Sequence, residues 1–488
     1  PTTTPMVSDG CGVQTYNLTA SSATAGEFRW YDYATGDLPQ ETNTTGNFTT
    51  PALSGSINYY VTFFDGACES ARTPSVITVA LNGPGVLDNS FVPQPTQDGW
   101  ITFIDDMFIQ PDNKIVVNAF AVDPDEFYVT RLLPDGTIDP GFQIWNQTQF
   151  NGYVDLIELQ ADGKILIAGR FSTINGTNYG RIARLNSDGT LDGSFNSASP
   201  GFNNFVHAMA IQPDGKIIAG GQFTAYNGSA INRIVRINPN GTIDGTFNVG
   251  SGADFNVNEI VIQADGKILI SGDFSVYNSL PVNGMIRVNS NGSLDNSFNG
   301  GGVRPEVIAL QADQKILIGG NFTNVGGVSR NKLARLNTDG SLDLTFDPGT
   351  GFDNTVYSIY VEPSSKIIAG GYFKNVNGEA RNRLARLYAD GSVDKFFDPG
   401  VGPNTDVIYS IVPYGTDKII AGGYFDRWNG QLQNGLGMVN NECIRTPLGF
   451  GNTTCTNSVA ISACGGSNGQ YRWYTDAVTA TPISGETN

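Results

Sequence analysis

The segments QPDGKIIAGGQF (residues 212–223) and NRIVRINPNGTIDGTF (residues 232–247) decide the fold of this chain, because closely similar segments return along most of its 488 residues. A period of about 50 residues accommodates four short strands, which make one blade of a β-propeller. We therefore predict an all-β chain built around a seven-bladed β-propeller. Seven lysines mark the copies: Lys114, Lys164, Lys216, Lys267, Lys315, Lys366 and Lys418.

One copy shows the expected strands. In the third copy, Val206–Gln212 and Lys216–Phe223 flank a Pro-Asp-Gly turn, and Arg233–Asn238 and Thr242–Phe247 flank a Pro-Asn-Gly turn. Turns of this composition between apolar segments indicate two β-hairpins. No helical period separates the hairpins, which argues against a helical solenoid.

The ends of the repeat region predict how the propeller closes. Six copies end in a D-x-x-F element, whereas the copy after Lys418 never reaches one. An orphan copy of this element, Leu87–Phe91, precedes the first repeat. We predict that this N-terminal strand completes the seventh blade, so that residues 87–441 form a ring without an open sheet edge.

Recurring charged residues have a structural interpretation. The turn at Ser187-Asp188-Gly189 places Arg184 opposite Asp192, which predicts a cross-strand ion pair in each complete copy. Met438 occupies the arginine position of the last copy, so Asp88 should lack an arginine partner. Asp-Gly turns are also found in calcium loops, but the dense D-x-D-x-D spacing is missing here. We predict no cofactor, with calcium as the alternative.

This repeat resembles the delta-60 repeat family of bacterial β-propellers, on the residues quoted at the outset. The resemblance covers roughly residues 87–441. It implies a large secreted or surface protein, and it implies no common catalytic motif. The first copy departs most from the pattern, because Ala121-Val122-Asp123-Pro124-Asp125 replaces the usual F-x-x-x-N-G loop. We expect the first blade to have a different surface.

Two related modules flank the propeller. Residues 1–81 have the strand pattern of a small β-sandwich with Trp30 as its core aromatic, and residues 82–86 form a linker. Residues 442–488 begin a second, incomplete copy, since Tyr471–Tyr474 repeats Phe28–Tyr31; we therefore expect the chain to be a fragment of a longer protein. The remaining expectations concern disulfides: Cys11 with Cys68, and Cys443 with Cys464, although the pairing among Cys443, Cys455 and Cys464 stays open.

These modules resemble the immunoglobulin-like domains of large surface proteins in gliding and related Bacteroidetes. The resemblance rests on Cys11, Arg29-Trp30-Tyr31 and Cys68–Pro74. It implies export by the type IX secretion system and a role in adhesion or gliding motility. It also implies partners in secretion and cell-surface anchoring machinery, and contacts with other domains of the same long chain.

Composition supports an extracellular, cell-surface location. The net charge of −18 makes nucleic acid an improbable partner, because phosphate backbones require a basic surface. No apolar run is long enough to cross a bilayer, so we expect no direct membrane insertion. Five cysteines, all in or beside the flanking modules, are typical of an oxidising compartment.

The chain offers little for catalysis. Its single histidine, His207, excludes a metal site built on several histidines. Asp155 and Glu306 are the best candidates for a carboxylate pair that would hydrolyse glycosides. His207, Asp155 and Glu306 occupy the same position of the repeat, near the start of its first strand, which we call the inner strand. Other copies have Asn258, Tyr357 and Ile408 at this position. We predict that the protein is not an enzyme.

Function is expected where the copies differ. The segments that lead into each inner strand vary in length and carry aromatic residues, which stack well on sugar rings. The alternative is that these aromatics only cap the propeller core. Trp428 and Tyr226 lie in other loops and are further candidates. The predicted ligand-binding residues are Trp145, Tyr153, Asp155, Phe205, His207, Asn258, Glu306 and Tyr357; other aromatics of the variable segments are Phe150, Phe202, Phe255 and Phe352.

These residues favour a non-catalytic recognition module of a surface adhesin, which binds a glycan or a protein through the variable propeller face. One alternative is a purely structural spacer in a surface stalk. The other is a carbohydrate-active enzyme.

Overall fold

Every regular element in the described part of the chain is a β-strand, as the alternating apolar pattern predicts. The structure is a computed structural model, and the predicted second module at residues 442–488 lies outside the residues that it describes. Those residues are 2–3, 6–8, 17–22, 25–31, 39–49, 57–79, 83–94, 102–122, 125–146, 149–195, 200–404 and 407–441.

Each repeat contributes three main antiparallel strands, which form separate sheets in repeats 2 to 6 and are joined in one sheet in repeats 1 and 7 by the pairing of Phe103 with Tyr424. Because both faces of the second strand are covered by neighbouring repeats, that strand is almost entirely apolar and buried. The first strands are Thr102–Ile109, Val154–Leu159, Val206–Ile211, Val257–Ile262, Val307–Leu310, Val356–Val361 and Val407–Tyr414. The second strands are Ile115–Val122, Ile165–Gly169, Ile217–Gly221, Ile268–Gly272, Ile316–Gly319, Ile367–Gly371 and Lys418–Tyr424. The third strands are Asp125–Leu132, Ile182–Leu185, Ile234–Ile237, Met285–Val288, Leu333–Leu336, Leu384–Leu387 and Leu436–Asn440.

The predicted fourth strand is shorter than expected. In repeat 3 it consists of a single bridge between Ile237 and Ile243, followed by a turn. Asp244 Oδ1 accepts hydrogen bonds from the Thr246 backbone N–H at 3.0 Å and from its hydroxyl at 2.6 Å. An aspartate that bonds to the backbone two residues ahead favours a turn over an extended strand. The D-x-x-F element is therefore a bridge and a turn.

Short hairpins of two-residue strands connect the second and third strands of repeats 2 to 7. They follow from the residue pair at the tip of each loop, which is Asn-Gly in four repeats, Asn278-Ser279 in repeat 4 and Gly326-Gly327 in repeat 5, and which adopts positive φ angles. Repeat 1 has no such hairpin among the described residues. An additional strand, Trp145–Asn146, pairs with its third strand. The hairpins are Thr173–Ile174 with Thr177–Asn178, Ala225–Tyr226 with Ser229–Ala230, Val276–Tyr277 with Leu280–Pro281, Asn324–Val325 with Val328–Ser329, Asn375–Val376 with Glu379–Ala380, and Arg427–Trp428 with Gln431–Leu432.

The predicted cross-strand ion pair is confirmed, and it has a third member. Arg184 Nε lies 2.7 Å from Asp192 Oδ2, and both side chains are buried. Lys164 Nζ approaches the same oxygen at 2.7 Å. The two cations hold the pKa of Asp192 well below its usual range, against the opposing effect of burial. The repeated lysine of the sequence is therefore a partner of the repeated aspartate.

The arginine also links one repeat to the next. Arg184 Nη1 donates a hydrogen bond to the Pro239 carbonyl of the following repeat at 2.7 Å. Its guanidinium lies 4.8 Å from the ring centre of Phe195, within range of a cation–π interaction. Equivalent bonds between repeats are Arg131 to Ser187, Arg236 to Ser290, Arg287 to Thr338, Arg335 to Ala389 and Arg386 to Asn441.

The segment ahead of the first repeat contacts both ends of the repeat array. Leu87 bridges to Val439 of repeat 7, and Asp88 Oδ2 lies 2.5 Å from Lys418 Nζ. In the described residues Asp88 has no arginine partner, which confirms the expectation from Met438. Farther along the segment, the Gln94 backbone N–H donates to a turn carbonyl of repeat 1 at 2.8 Å.

The N-terminal module contains a three-stranded and a five-stranded sheet. Trp30 is fully buried and stacks on Phe48 with ring centres 5.4 Å apart, which confirms it as the core aromatic. Cys68 is exposed, while Cys11, Cys443, Cys455 and Cys464 lie outside the described residues, so both disulfides stay predictions. The strands are Thr2–Thr3, Asn17–Ser21 and Asn47–Thr49 in one sheet, and Met6–Ser8, Thr73–Val79, Ile57–Phe64, Glu27–Tyr31 and Glu41–Asn43 in the other.

Asp244→Asn tests the ion-pair network. The substitution leaves the buried Arg236 guanidinium without its counter-charge, so we expect a loss of about 3–5 kcal/mol in the free energy of unfolding. The matched control is Asp88→Asn, whose only ion-pair partner in the described residues is the less buried Lys418. There we expect a loss of about 1 kcal/mol. Denaturant unfolding measures both, and equal losses would contradict a special role for the arginine.

Candidate functional site

A cavity lined largely by aromatic side chains lies where repeats 1, 2 and 7 meet. Its volume is about 500 Å³, within the range of small-molecule sites in proteins. Six aromatic rings, two carboxyl groups and one guanidinium line it. We call it the aromatic cavity; its lining residues are Phe103, Asp105, Asn118, Ala119, Phe120, Phe127, Tyr153, Val154, Asp155, Arg170, Tyr409 and Tyr424.

The unusual first repeat supplies half of these rings. Its second and third strands pair along eight residues each, and the register places Phe120 opposite both Phe127 and Phe103. In the other repeats the second strand ends earlier and is followed by the short two-stranded hairpin. The replacement of that loop in repeat 1 therefore extends a hairpin whose aromatic residues line the cavity.

A β-bulge in the first strand positions the polar residues. In repeat 2 the pairing passes from Val154 to Leu156 and omits Asp155, and a bulge of this kind redirects a side chain. Asp105, His207, Asn258, Tyr357 and Tyr409 are omitted in the same way in their repeats. The expectation of Ile408 at this position of repeat 7 is wrong, because Ile408 is paired and fully buried.

A simple count would have found the two bulge residues that the sequence analysis missed. Each bulge residue lies nine positions before the repeated lysine, which gives Asp105 before Lys114 and Tyr409 before Lys418. The same count gives Glu306 in repeat 5.

Two carboxyl groups face the aromatic cavity beside one arginine. Burial raises the pKa of both Asp105 and Asp155 to about 6, and the positive charge of Arg170 opposes this rise. Arg170 Nε lies 3.1 Å from Asp155 Oδ2. Its guanidinium also lies 5.7 Å from the ring centre of Tyr153. The cavity therefore combines apolar ring surfaces with weakly acidic groups.

A second cavity, of about 430 Å³, adjoins the first and is strongly acidic. The two share Asp105, Asp155, Arg170 and Tyr409. Burial raises the pKa of Asp106 to about 7 and those of Glu158 and Glu259 to about 8. Repulsion from a neighbouring carboxylate adds to each rise, from Asp105 in the case of Asp106. We call this space the acidic cavity; its remaining lining residues are Leu156, His207, Ala208, Met209, Ile260 and Tyr357.

Hydrogen bonds between repeats hold two of the acidic residues. The Ile157 backbone N–H donates to Asp106 Oδ2 at 3.1 Å, and the Ile308 N–H donates to Glu259. Both donors belong to the following repeat. These bonds favour the ionised carboxylates, although burial outweighs them. In the same cavity, burial and the charge of Arg170 lower the pKa of His207, which keeps its imidazole neutral near pH 7.

The predicted ligand-binding residues divide into three groups. Tyr153 and Asp155 line the aromatic cavity, and His207 and Tyr357 line the acidic cavity. A second group lies at neighbouring positions outside both cavities. It consists of Phe205, beside Arg170 and Arg181; Asn258, which donates to Asp273 at 3.3 Å; and Glu306, which is exposed.

Trp145 forms the third group and corrects the prediction of an exposed ring. Its side chain is buried, and the indole N–H donates to the Gly189 carbonyl at 2.7 Å. Tyr226 and Trp428 are fully buried as well, with hydrogen bonds to Gly241 and Pro399. Their polar atoms find backbone partners in the interior, so the whole ring packs in the core. The alternative of core capping holds for these residues, and also for the buried Phe150, Phe202 and Phe352; Phe255 is half exposed.

No group of three or more His, Cys, Asp or Glu side chains among the described residues is arranged to hold a metal ion. The Asp-Gly turns have another role. Asp214 Oδ1 accepts a hydrogen bond from the Lys216 backbone N–H at 3.1 Å, which stabilises the hairpin turn. In the described residues, no helix is long and apolar enough to cross a membrane.

Comparison with known proteins identifies the two kinds of domain. A family model described as a domain of unknown function (DUF5122) beta-propeller matches six segments. Residues 1–80 match a model described as an Ig-like domain, CHU_C associated. The chain contains DUF5122 β-propeller repeats and an Ig-like domain. Each of the six segments ends at the phenylalanine of a D-x-x-F element. They are 110–142, 160–195, 212–247, 263–298, 311–346 and 362–397.

Solved structures give only distant similarity, and no curated protein matches the chain. YCF48 from Cyanidioschyzon merolae aligns at 17% identity and a TM-score of 0.33, covering 72% of this chain and 97% of that one. The rhamnogalacturonan lyase YesW aligns at 11% identity and 0.35, covering 90% and 89%. A Bacillus licheniformis rhamnogalacturonan lyase aligns at 12% and 0.27, covering 91% and 82%. Scores this low carry no argument about function.

Glu259→Gln tests the electrostatic cost of the acidic cavity. The folded protein raises the pKa of Glu259 to about 8, so its burial costs nothing below the usual pKa and destabilises increasingly as the pH rises towards 8. The amide can still accept the Ile308 hydrogen bond. We therefore expect the substitution to raise Tm by about 2–4 °C at pH 8 and to leave it unchanged at pH 4.

The matched control is Glu379→Gln. The side chain of this carboxylate is solvent-accessible and pairs with Lys395 at 2.6 Å, so the same change should leave Tm nearly unchanged at either pH. Thermal unfolding at the two pH values measures both variants. A loss of stability in Glu259→Gln at pH 8 would contradict the assigned cost.

Proposed function

We propose that this chain is a recognition module of a large secreted bacterial surface protein and binds a glycan in the aromatic cavity. The carrying observation is the convergence of six rings with Asp105 and Asp155 in one accessible space. Sugar rings stack on flat apolar faces, and carboxylates accept hydrogen bonds from their hydroxyls. A few polar groups among apolar walls are typical of a ligand site.

The cellular setting is part of the same proposal. Ig-like domains next to propeller repeats are consistent with a surface protein, and the resemblance to gliding-type proteins adds type IX export and adhesion. The negative net charge supports a partner other than nucleic acid or an anionic membrane. We propose that the chain works outside the cell, without a cofactor, and next to further domains of a longer protein.

Two alternative functions are a structural spacer and a carbohydrate-active enzyme. The burial of Trp145, Phe202 and Phe352 favours a spacer, because these rings serve packing alone. The raised pKa of Asp105 and Asp155 favours a carbohydrate-active enzyme, because glycoside hydrolysis needs a protonated carboxyl group. Asp105 thus replaces Glu306 as the companion of Asp155, since Glu306 lines neither cavity. We favour binding without catalysis, because no second observation indicates a bond-breaking step.

Tyr153→Ala tests glycan binding. Tyr153 is 40% exposed and contacts Phe120 and Phe127 at ring-centre distances of 5.6 and 5.5 Å. Its removal should weaken binding to a glycan array at least tenfold, because one stacking wall is lost. The matched control is Phe255→Ala, an aromatic residue that is 52% exposed and lines neither cavity.

The glycan array also distinguishes the three candidate functions, which are glycan binding, catalysis and a structural spacer. Binding that is lost in Tyr153→Ala and kept in Phe255→Ala supports recognition in the aromatic cavity. Release of reducing ends from any array glycan, abolished by Asp155→Asn, would replace binding by catalysis. Silence across a broad array of surface polysaccharides would favour the spacer.

We also infer that the seven repeats close into a ring of seven blades, fastened by the N-terminal segment. The Leu87–Val439 bridge and the ion pair of Asp88 with Lys418 support this inference. The first strand of repeat 7 also contacts that of repeat 1. A closed ring removes the open edges that isolated sheets would expose.

Phe91→Ala tests closure. Phe91 is 1% exposed and belongs to a cluster that includes Met438 of repeat 7 and Ile115 of repeat 1. If it fastens the ring, its truncation should cost about 3–5 kcal/mol of unfolding free energy. The same loss is expected for Phe195→Ala, the equivalent residue between repeats 2 and 3. An effect below about 1 kcal/mol in Phe91→Ala alone would show that the segment does not fasten the ring.

A further inference from the structure

The aromatic cavity has the walls of a cation site. Phe103 lies near Tyr409 and Tyr424, with ring-centre distances of 5.2 and 5.8 Å and steep interplanar angles. On the other side, Tyr153 lies near Phe120 and Phe127. Rings held at steep angles present faces in several directions. Cations bind to the faces of aromatic rings within about 6 Å of the ring centre.

The charges in the cavity favour the same kind of ligand. Two carboxyl groups and Arg170 line it, and Arg170 is engaged with Asp155 at 3.1 Å. In the adjoining acidic cavity, Glu158 and Glu259 have pKa values raised to about 8 and are mostly protonated at pH 7, and His207 is kept neutral. Among the described residues that line the two cavities there is no lysine. The electrostatic potential of this space therefore disfavours anionic ligands, such as sugars with free carboxylates.

Asp105 is the residue that most needs a partner. It lines both cavities, and no hydrogen bond to its carboxylate comes from the described part of the chain. Its nearest charged neighbours are Arg170, which already contacts Asp155, and Asp155 itself. A half-buried carboxylate without a donor is costly unless something pairs with it. A ligand that brings N–H donors and a positive charge would supply that partner.

We propose that the aromatic cavity binds an ammonium group, with Asp105 and Asp155 as its counter-charges and the aromatic rings as its walls. The group would be carried on an amino sugar of the glycan; a lysine side chain presents the same ammonium chemistry, and the test distinguishes the two. The proposal rests on the proposed function, because it specifies the ligand of the same cavity. Neutral sugars would then bind more weakly than their amino counterparts.

Calorimetric titration of the full chain tests the proposal with four probes at pH 7. Glucosamine and the methylamide of Nα-acetyl-lysine represent the two sources of the ammonium group. N-acetylglucosamine and the methylamide of Nα-acetyl-norleucine are their neutral counterparts. We expect at least one amine to bind about tenfold more tightly than its neutral counterpart, and the better amine identifies the source.

Variants then locate the binding. Asp105→Asn removes the charge and keeps the shape, so it should weaken the amine about tenfold and leave the neutral probe unchanged. The matched control is Glu306→Gln, a carboxylate that is exposed and lines neither cavity. If Asp105→Asn shows a lowered Tm, Tyr153→Ala provides the second test, because loss of one wall should weaken the amine as well.

The outcomes separate this proposal from the proposed function. Equal affinity for amines and neutral probes, or no binding of any probe, overturns the ammonium site. Glycan-array binding that depends on Tyr153 would still stand in that case. Amine binding that depends on Asp105, with a silent array, supports the ammonium site and removes the glycan as its natural carrier.

Discussion

The contact on which the repeat architecture depends is the buried pair of arginine and aspartate in each complete repeat. A buried charge is tolerated only when it is paired and hydrogen-bonded. Here Arg236 meets that condition with Asp244 inside its own repeat and with the Ser290 carbonyl of the next repeat. The residue that satisfies the charge within one sheet therefore also fixes the position of the next sheet. This double role explains why the arginine and the aspartate recur with so little change.

The last repeat is connected to its neighbours differently from the others. Repeat 7 has Met438 where the arginine would stand, so this link to the following repeat is missing there. The N-terminal segment contributes instead, with Asp88 bound to Lys418 and with the Gln94 backbone bound to repeat 1. The arginine is thus absent at the one repeat where a separate segment makes the connection, which is consistent with its linking role in the other repeats.

Much of the fold could be predicted from the sequence, whereas the site could be predicted only in part. Repetition revealed the strands, the Arg184–Asp192 pair and the special last repeat, because these depend on contacts that recur. The site depends on departures from the pattern. The lengthened hairpin of repeat 1 brings Phe120 and Phe127 to the cavity, and a loop that simply looked different gave no sign of this.

Burial was the harder quantity to predict. Trp145 and Tyr153 lie in the same variable segment, yet one is buried against a backbone carbonyl and the other faces the cavity. Composition cannot separate them, since the difference comes from contacts with the following repeat. Glu158 and Glu259 sit at alternating positions that resemble solvent-facing ones, but both side chains line the acidic cavity. Sequence periodicity shows which side chains share a face of a strand, but it does not show whether that face contacts solvent or lines a cavity.

The second strands show which carboxylates serve structure and which require another explanation. Where this strand has Gly220, a Cβ atom would lie 2.4 Å from Val257 of the next repeat, so apolar packing is close. At the equivalent position of repeat 1, Asn118 instead donates to the Val154 carbonyl at 2.9 Å. It lies opposite Asp106, which accepts a backbone N–H from the same neighbouring repeat.

Repeat 4 repeats this arrangement. Ser271 donates to the Pro305 carbonyl at 2.7 Å and lies opposite Glu259, which accepts the Ile308 N–H. Asp106 and Glu259 thus belong to polar links between repeats, and these hydrogen bonds offset part of their burial. In the described residues, no such donor reaches the carboxylate of Asp105. Groups that conflict with local stability concentrate at functional sites. The compensation that Asp105 receives in the described residues is the nearby charge of Arg170, and its burial without a hydrogen-bond donor is consistent with the proposed ligand.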